Sequence, residues 1–164
     1  MRAFAGAALL GVSLAALPVG AAHAQHDAPD PACDALVQPD RIAAHSGHGW
    51  HAGPGLWIGG DKLACNYYQD EVPAGLSLSV RPDPQKREYA LAHQVYAQTA
   101  ERADGPGEAF YFRYDAAPPF QPSWGLVVYA GSQTYRLEGV PEAGDAKRAR
   151  VLALEIIERT LKKF

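Results

Sequence analysis

The last twenty residues of the chain demand an apolar surface to lie on. From Asp145 to Phe164, Ala149, Ala153, Ile156, Ile157, Thr160, Leu161 and Phe164 recur at helical spacing and form one stripe. Such a helix is stabilised mainly by covering that stripe rather than by its own propensity. Asp145 is a strong N-cap. Glu155–Arg159 and Glu158–Lys162 are favourable pairs four residues apart, and Lys162 and Lys163 suit the negative end of the helix dipole. Lys147, Arg148 and Arg150 sit at the wrong end for that dipole. They are read as a solvated face, with pairing to distant acids or to a partner as the alternative.

Strands upstream can supply the surface. Leu76 to Val80 alternates apolar and polar residues with period two, as a half-buried strand does. Leu56–Ile58, Leu63–Tyr68, Glu108–Tyr114 and Trp124–Ala130 read as further strands, and Phe110, Phe112 and Tyr114 share one face. Gly131–Ser132 fits a two-residue hairpin turn returning into Thr134–Leu137. A short helix is expected over Pro39–His45, with Pro39 in its first turn, Gly47 as its stop, and Ala35, Leu36, Ile42 and Ala43 facing inward. Another opens at Asp83–Pro84, buries Leu91, Ala92, Val95, Tyr96 and Thr99, and ends by Asp104–Gly105. Interspersed helices and strands of this kind predict an α+β fold. Its mainly antiparallel sheet packs against amphipathic helices as an α/β/α sandwich.

The first 24 residues read as a cleavable secretory leader. Arg2 is followed by an apolar run from Phe4 to Leu17, then Pro18 and Gly20, and Ala22-His23-Ala24 supplies the small-x-small pattern for cleavage before Gln25. The run is shorter than the ~20 residues that span a bilayer. With no cysteine near the cleavage point, no lipid anchor is expected. The expectation is a periplasmic or secreted protein, with a flexible Pro-rich lead over 25–31 and one domain over 32–164. Of 15 basic side chains the leader removes Arg2, leaving 14 against 18 acidic ones, so the mature domain is mildly acidic. Nucleic acid is a poor partner for such a chain, which lacks a stripe of Lys and Arg.

Cys33 and Cys65 are the only two cysteines, and export makes a single disulfide their simplest reading. A bridge closing this 33-residue loop is worth roughly 3.5–4 kcal/mol at most by chain entropy. Without a Cys-x-x-Cys motif, a redox pair is the lesser alternative.

Several short patterns occur in order along the chain: Cys33-Asp-Ala-Leu36 at a helix start, Cys65-Asn-Tyr67 in an early strand, Gly105-Pro-Gly-Glu-Ala-Phe110, then a hairpin and the final helix. Over about 130 residues this layout resembles small bacterial envelope proteins with paired cysteines. The resemblance implies a sandwich similar to that of the photosystem extrinsic PsbP-type proteins. It implies no catalytic residues, and members of that sandwich mostly bind other macromolecules. The lipoprotein members' lipobox cysteine is missing here, so their anchor does not carry over.

Two candidate sites follow from the residues themselves. His45, His48 and His51 carry imidazoles suited to a divalent metal such as Zn or Cu, but Gly47 and Gly49 interrupt any helix that would array them. Three solvated loop histidines are the plainer reading, and no other cofactor is suggested. Trp50, Trp57, Phe120 and Trp124 flank Gly- or Pro-rich stretches and are candidates to contact a protein or glycan partner; Trp124 also starts an apolar strand, which favours a core role. For nucleophilic or glycosidic chemistry nothing converges. Gly-x-Ser-x-Gly is absent, Gly131-Ser132-Gln133 is a turn, and Asp104 and Glu108 read as turn residues. The leading expectation is a non-enzymatic binding or accessory protein of the cell envelope. The alternatives are an inhibitor or immunity-type protein that docks on an enzyme, and a metal-binding protein using the histidines.

Overall fold

A computed structural model describes residues 31–53, 55–58, 62–70, 75–115 and 121–164. The leader, its Ala24–Gln25 cleavage point, residues 25–30 of the lead, and Phe120 lie outside the described residues. Elements run in the order α1 (Pro31–Leu36), α2 (Pro39–Ser46), β1 (Trp50–Ala52), β2 (Leu56–Ile58), β3 (Lys62–Gln69), β4 (Gly75–Pro82), α3 (Arg87–Val95), β5 (Glu101–Arg102), β6 (Glu108–Tyr114), β7 (Ser123–Ala130), β8 (Gln133–Pro141) and α4 (Ala146–Leu161). The class is α+β. Among the described residues eight strands form one antiparallel sheet in the order β1-β3-β4-β8-β7-β6-β5, with β2 pairing β3 farther along the strand that β1 also pairs. No helix among them is long and apolar enough to cross a membrane.

Strand alternation sorts the side chains onto two faces. Leu63, Cys65 and Tyr67 of β3, Leu76, Leu78 and Val80 of β4, and Leu126 and Val128 of β7 are buried in one large cluster. The register puts Cys65 opposite Leu78, Leu78 opposite Leu137, and Leu137 opposite Leu126, so this row crosses four strands. In β8 the alternation shifts phase: Leu137 and Val140 both enter the cluster. A register shift between Trp124 and Leu126 inserts the extra residue. Gly139 lies there at φ +84°, and a Cβ on it would stand 2.1 Å from the Gly75 carbonyl oxygen.

Helix α4 lies on this cluster as the stripe predicts, burying Ala149, Leu152, Ala153, Ile156, Ile157 and Thr160. Asp145 caps it by accepting from Arg148 N at 2.9 Å. The charge expectation at its start is corrected. Arg150 bonds Glu101 of β5 at 2.6 Å and lays its guanidinium 3.9 Å from the Trp124 ring centre, so it joins the helix to the sheet. Helices α1 and α2 complete the same core with Cys33, Leu36, Val37 and Ile42, whereas Ala35 is exposed. Gly47 ends α2 in the left-handed region at φ +78°. The disulfide Cys33–Cys65 is formed, and Tyr67 Oη donates to the Cys33 carbonyl at 2.6 Å. It therefore staples α1 to β3 inside the core.

The opposite face carries a smaller cluster: Phe110, Phe112 and Val127 with Ala92 of α3. The three aromatics of β6 do share a face. Helix α3 itself differs from expectation. It ends at Val95 rather than near Asp104, and the two-residue strand β5 occupies part of the interval. Leu91 is 57% and Val95 64% exposed, so the expected inward stripe reduces to Ala92 flanked by Tyr89 and Tyr96. The hairpin turn places both Gly131 (φ +57°) and Ser132 (φ +65°) in the left-handed region, the pattern that matches strand twist in two-residue hairpins.

The double substitution Cys33→Ala with Cys65→Ala is expected to lower the unfolding free energy by up to roughly 3.5–4 kcal/mol. Urea titration followed by tryptophan fluorescence measures it. A loss below about 1 kcal/mol would contradict the role of the bridge as a core staple.

Candidate functional site

Helix α3 is seated mainly by polar groups at its two ends. At the start, Asp83 follows β4 and is buried at 4% exposure. Its carboxylate accepts from Arg87 N at 2.6 Å, Tyr89 N at 3.1 Å and the Thr134 hydroxyl of β8 at 2.8 Å. Burial alone pushes its pKa up. The hydrogen bonds from Tyr89, Thr134, Glu88 and Arg87 outweigh that and hold the carboxyl below the usual carboxylate range. Lys86, in the left-handed region at φ +57°, turns the chain into the helix.

At the other end, Tyr96 stacks on Phe112 with ring centres 3.9 Å apart and planes 10° off parallel. Its hydroxyl enters a network on Glu138 of β8. Glu138 Oε1 lies 2.8 Å from Tyr96 Oη, 2.7 Å from Tyr114 Oη and 2.6 Å from an Arg136 guanidinium nitrogen. Arg136 also donates to Tyr96 Oη. Burial raises the Glu138 pKa, but the bonds from Tyr114, Tyr96 and Arg136 together hold it below the usual value. Burial and the neighbouring Tyr96 and Glu138 push the Tyr114 phenol far up, so it stays protonated.

A helix held in this way leaves space on both flanks. Toward the sheet edge opens a cleft of about 450 Å³ between α3, β5 and the turn into β6. Tyr89 and His93 come from α3, Arg102 from β5, Asp104 from the turn, and Glu108 and Phe110 from β6. Both α3 rings make T-shaped contacts with Phe110, Tyr89 at 5.4 Å and 70°, His93 at 5.0 Å and 83°. Lys86 pairs with Glu108 and lies 5.0 Å from the Tyr89 ring centre and 5.4 Å from that of Tyr129. The Gly105-Pro-Gly-Glu-Ala-Phe110 stretch forms the lip and floor. At Gly107 (φ +82°) a Cβ would stand 2.3 Å from the Tyr129 carbonyl oxygen, so the lip passes directly over β7.

On the other flank, a polar trough of about 260 Å³ runs over β3, β4 and β8, with Asn66, Ser77, Ser79 and Arg136 among its lining. A shallower depression of about 610 Å³ lies between α1, α2 and β1 and takes in Asp34, Asp40, Arg41 and His51. Its one aromatic ring is that of His51, which is paired with Asp70.

The histidines are not drawn together, which corrects the alternative of a shared metal site at His45, His48 and His51. His45 on α2 donates from Nε2 to the Pro141 carbonyl at 2.8 Å. His48 is exposed in the turn beyond Gly47. His51 faces outward from β1, opposite in phase to Trp50, and pairs Nδ1 with Asp70 Oδ1 at 2.7 Å. Three separate backbone settings send the rings to three separate places. Among the described residues no group of three His, Cys, Asp or Glu side chains could hold a metal ion.

Of the aromatic candidates, Trp50 is corrected and Trp124 takes the core role its strand favoured. Trp50 is buried at 8% exposure, and its indole N–H donates to Ser46 Oγ at 2.9 Å. Trp124 is a core residue, donating to Glu142 Oε2 at 3.0 Å beneath Arg150. Of Trp57 the backbone is described, paired with Leu63 in β2; Phe120 lies outside the described residues.

Sequence reasoning did not gather the cleft residues. Asp104 and Glu108 were legible only as turn formers, and His93 lay on a helix whose register pointed attention to Leu91 and Val95. The available signal was the Gly105–Phe110 motif itself, whose flanking residues line the cleft. Comparison with known proteins finds no family model, curated protein or solved structure that matches the chain.

Acid is expected to loosen α3 before the main core. A carboxyl whose folded pKa is depressed stabilises the fold above its unfolded value, 4.5 for Glu138, and that contribution disappears as pH falls through the folded value. Amide exchange of residues 87–96 should therefore accelerate below about pH 4.5 ahead of α4. Glu138→Gln should raise that exchange already at pH 7 and flatten its pH dependence. Unchanged exchange in the variant would remove the network as a seat for the helix.

Proposed function

We propose that the chain is an exported, non-enzymatic binding or accessory domain of the cell envelope, and that it holds a small ligand in the cleft between α3, β5 and the Gly105–Gly107 turn. The observation that carries this is convergence. Rings from Tyr89, His93 and Phe110 and charges from Arg102, Asp104 and Glu108 meet at one concavity of about 450 Å³. Ligand sites typically span ~300–1,000 Å³, combining aromatic lining with a few polar groups that fix orientation. The side chains of Arg102 and Asp104 make no hydrogen bond or salt bridge among the described residues, which leaves both available to a ligand.

The leader sequence and the Cys33–Cys65 bridge support an oxidising compartment outside the cytoplasm. Separate buried clusters on the two sheet faces support the α/β/α layering implied by the likeness to PsbP-type proteins. One observation favours a second reading, an inhibitor-type protein that docks on a partner. Leu91 and Val95 stand exposed side by side on α3, beside the polar trough.

Titrating residues 25–164 with a panel of neutral, anionic and cationic small metabolites, followed by amide NMR shifts, tests the ligand reading. Saturable shifts confined to residues around Tyr89, Arg102 and Phe110 are expected for at least one compound. Arg102→Ala should weaken that compound about tenfold or more, the scale of a lost charged hydrogen bond. If no compound gives saturable shifts in the cleft, the small-ligand reading fails. If Leu91→Glu and Val95→Glu then abolish an envelope partner's binding, the docking reading replaces it.

A further inference from the structure

We infer that the ligand of this cleft is a neutral carbohydrate, packed by its C–H face on the Tyr89 and His93 rings and hydrogen-bonded through its hydroxyls to Arg102, Asp104 and Glu108. The inference rests on the small-ligand reading and names its chemical class.

The walls come first. Tyr89 and His93 are fixed by edge-to-face contact with Phe110, which is itself 2% exposed. Phe110 is thus the support and the two α3 rings are the accessible aromatic surface. A pyranose has one face of aligned C–H bonds, and such a face gains area burial on a rigid ring at small entropic cost.

The polar groups come next. Asp104 and Glu108 bracket the Gly105–Gly107 turn, and Arg102 stands on β5 beside them. A carboxylate can accept from two adjacent hydroxyls, and a guanidinium offers a planar fork of donors. A hydroxyl both donates and accepts, so a polyol satisfies both kinds at once.

Charge decides against the alternatives. Lys86 pairs with Glu108, and Arg102 is matched in number by Asp104. The lining sets Arg102 against Asp104 and Glu108, and the charges balance once Lys86, bound to Glu108 at the lip, is counted. A phosphate or nucleotide would gain from surplus cations and a polyamine from surplus carboxylates, and this cleft offers neither. Wholly apolar ligands would leave Arg102 and Asp104 without partners on binding.

The test uses the folded chain from residue 25 onward and four probes in parallel: cellobiose, N,N′-diacetylchitobiose, AMP and spermidine, read by amide NMR and calorimetry. One of the two neutral disaccharides should saturate shifts at His93, Arg102 and Glu108. Its affinity should fall at least about tenfold in His93→Ala and in Asp104→Asn, and stay within about threefold in His93→Phe, which keeps the ring. Both positions are at the surface, and an unchanged melting temperature confirms that each of the three variants folds. If AMP or spermidine saturates the cleft and neither disaccharide does, the carbohydrate class is overturned while the cleft stands as a ligand site. If all four are silent but the broader metabolite panel finds a cleft ligand, the inference again falls alone. Silence of both panels removes the small-ligand reading with it. Equal loss in His93→Ala and His93→Phe would overturn the stacking role of the ring.

Discussion

Asp83 and Glu138 hold helix α3 on the sheet, and the cleft beside the helix depends on that attachment. Each carboxylate gathers several donors from different elements. Asp83 joins the first turn of α3 to Thr134 of β8. Glu138 joins Tyr96, just past the last turn, to Tyr114 of β6 and Arg136 of β8. The two pins lie at opposite ends of a nine-residue helix. Between them only Ala92 of the helix is fully buried. Small side chains bring a helix close without filling its flanks, and so two concavities remain, one on each side.

The faces of the sheet are therefore stabilised in different ways. Six residues of α4 are buried against Leu126, Leu137 and their neighbours, and that attachment grows with apolar area. The disulfide closes the far end of the same core. On the α3 side, aromatic contacts and ionised carboxylates replace aliphatic bulk. Regions with little buried apolar surface open at lower free energy than the core, which is where binding elements are drawn from. A rigid α4 face behind a polar-pinned α3 face gives a scaffold with one adjustable wall.

Much of the chain was legible from its sequence because period and burial coincided there. The α4 stripe and the alternation of β4 read out one-sided packing directly, and Phe110, Phe112 and Tyr114 marked one face of β6, a strand buried on both faces. α3 was misread for the same reason inverted. Leu91 and Val95 have the right spacing for a buried stripe, yet the helix is rotated so that Tyr89, Ala92 and Tyr96 face the sheet. Tyrosines can bury a ring and still satisfy a hydroxyl, and the partner that fixes this rotation, Glu138, is 42 residues beyond Tyr96. No local pattern carries that information. The same holds for Trp50, which looks like a loop aromatic until β1 pairs with β3 and turns the indole toward Ser46. His45, His48 and His51 fail as a group because a helix end, a turn and a strand lie between their directions.

Lys86 links the seat of α3 to the cleft. It occupies the left-handed turn that starts the helix, reaches over Tyr89 and Tyr129, and pairs with Glu108 at the lip. The Glu108 bond holds its ammonium charged and raises its pKa. On the proposed carbohydrate reading, a ligand hydroxyl that takes a Glu108 oxygen competes with this pair, and the freed ammonium still has two aromatic faces within reach. Engagement at the lip is thereby felt at the first turn of α3, one residue from Arg87, whose N–H bonds Asp83. The wall that supplies Tyr89 and His93 is the same helix whose start is adjusted. Ligand binding and helix seating consequently share the groups that determine them, and a ligand that favours the seated helix stabilises both together.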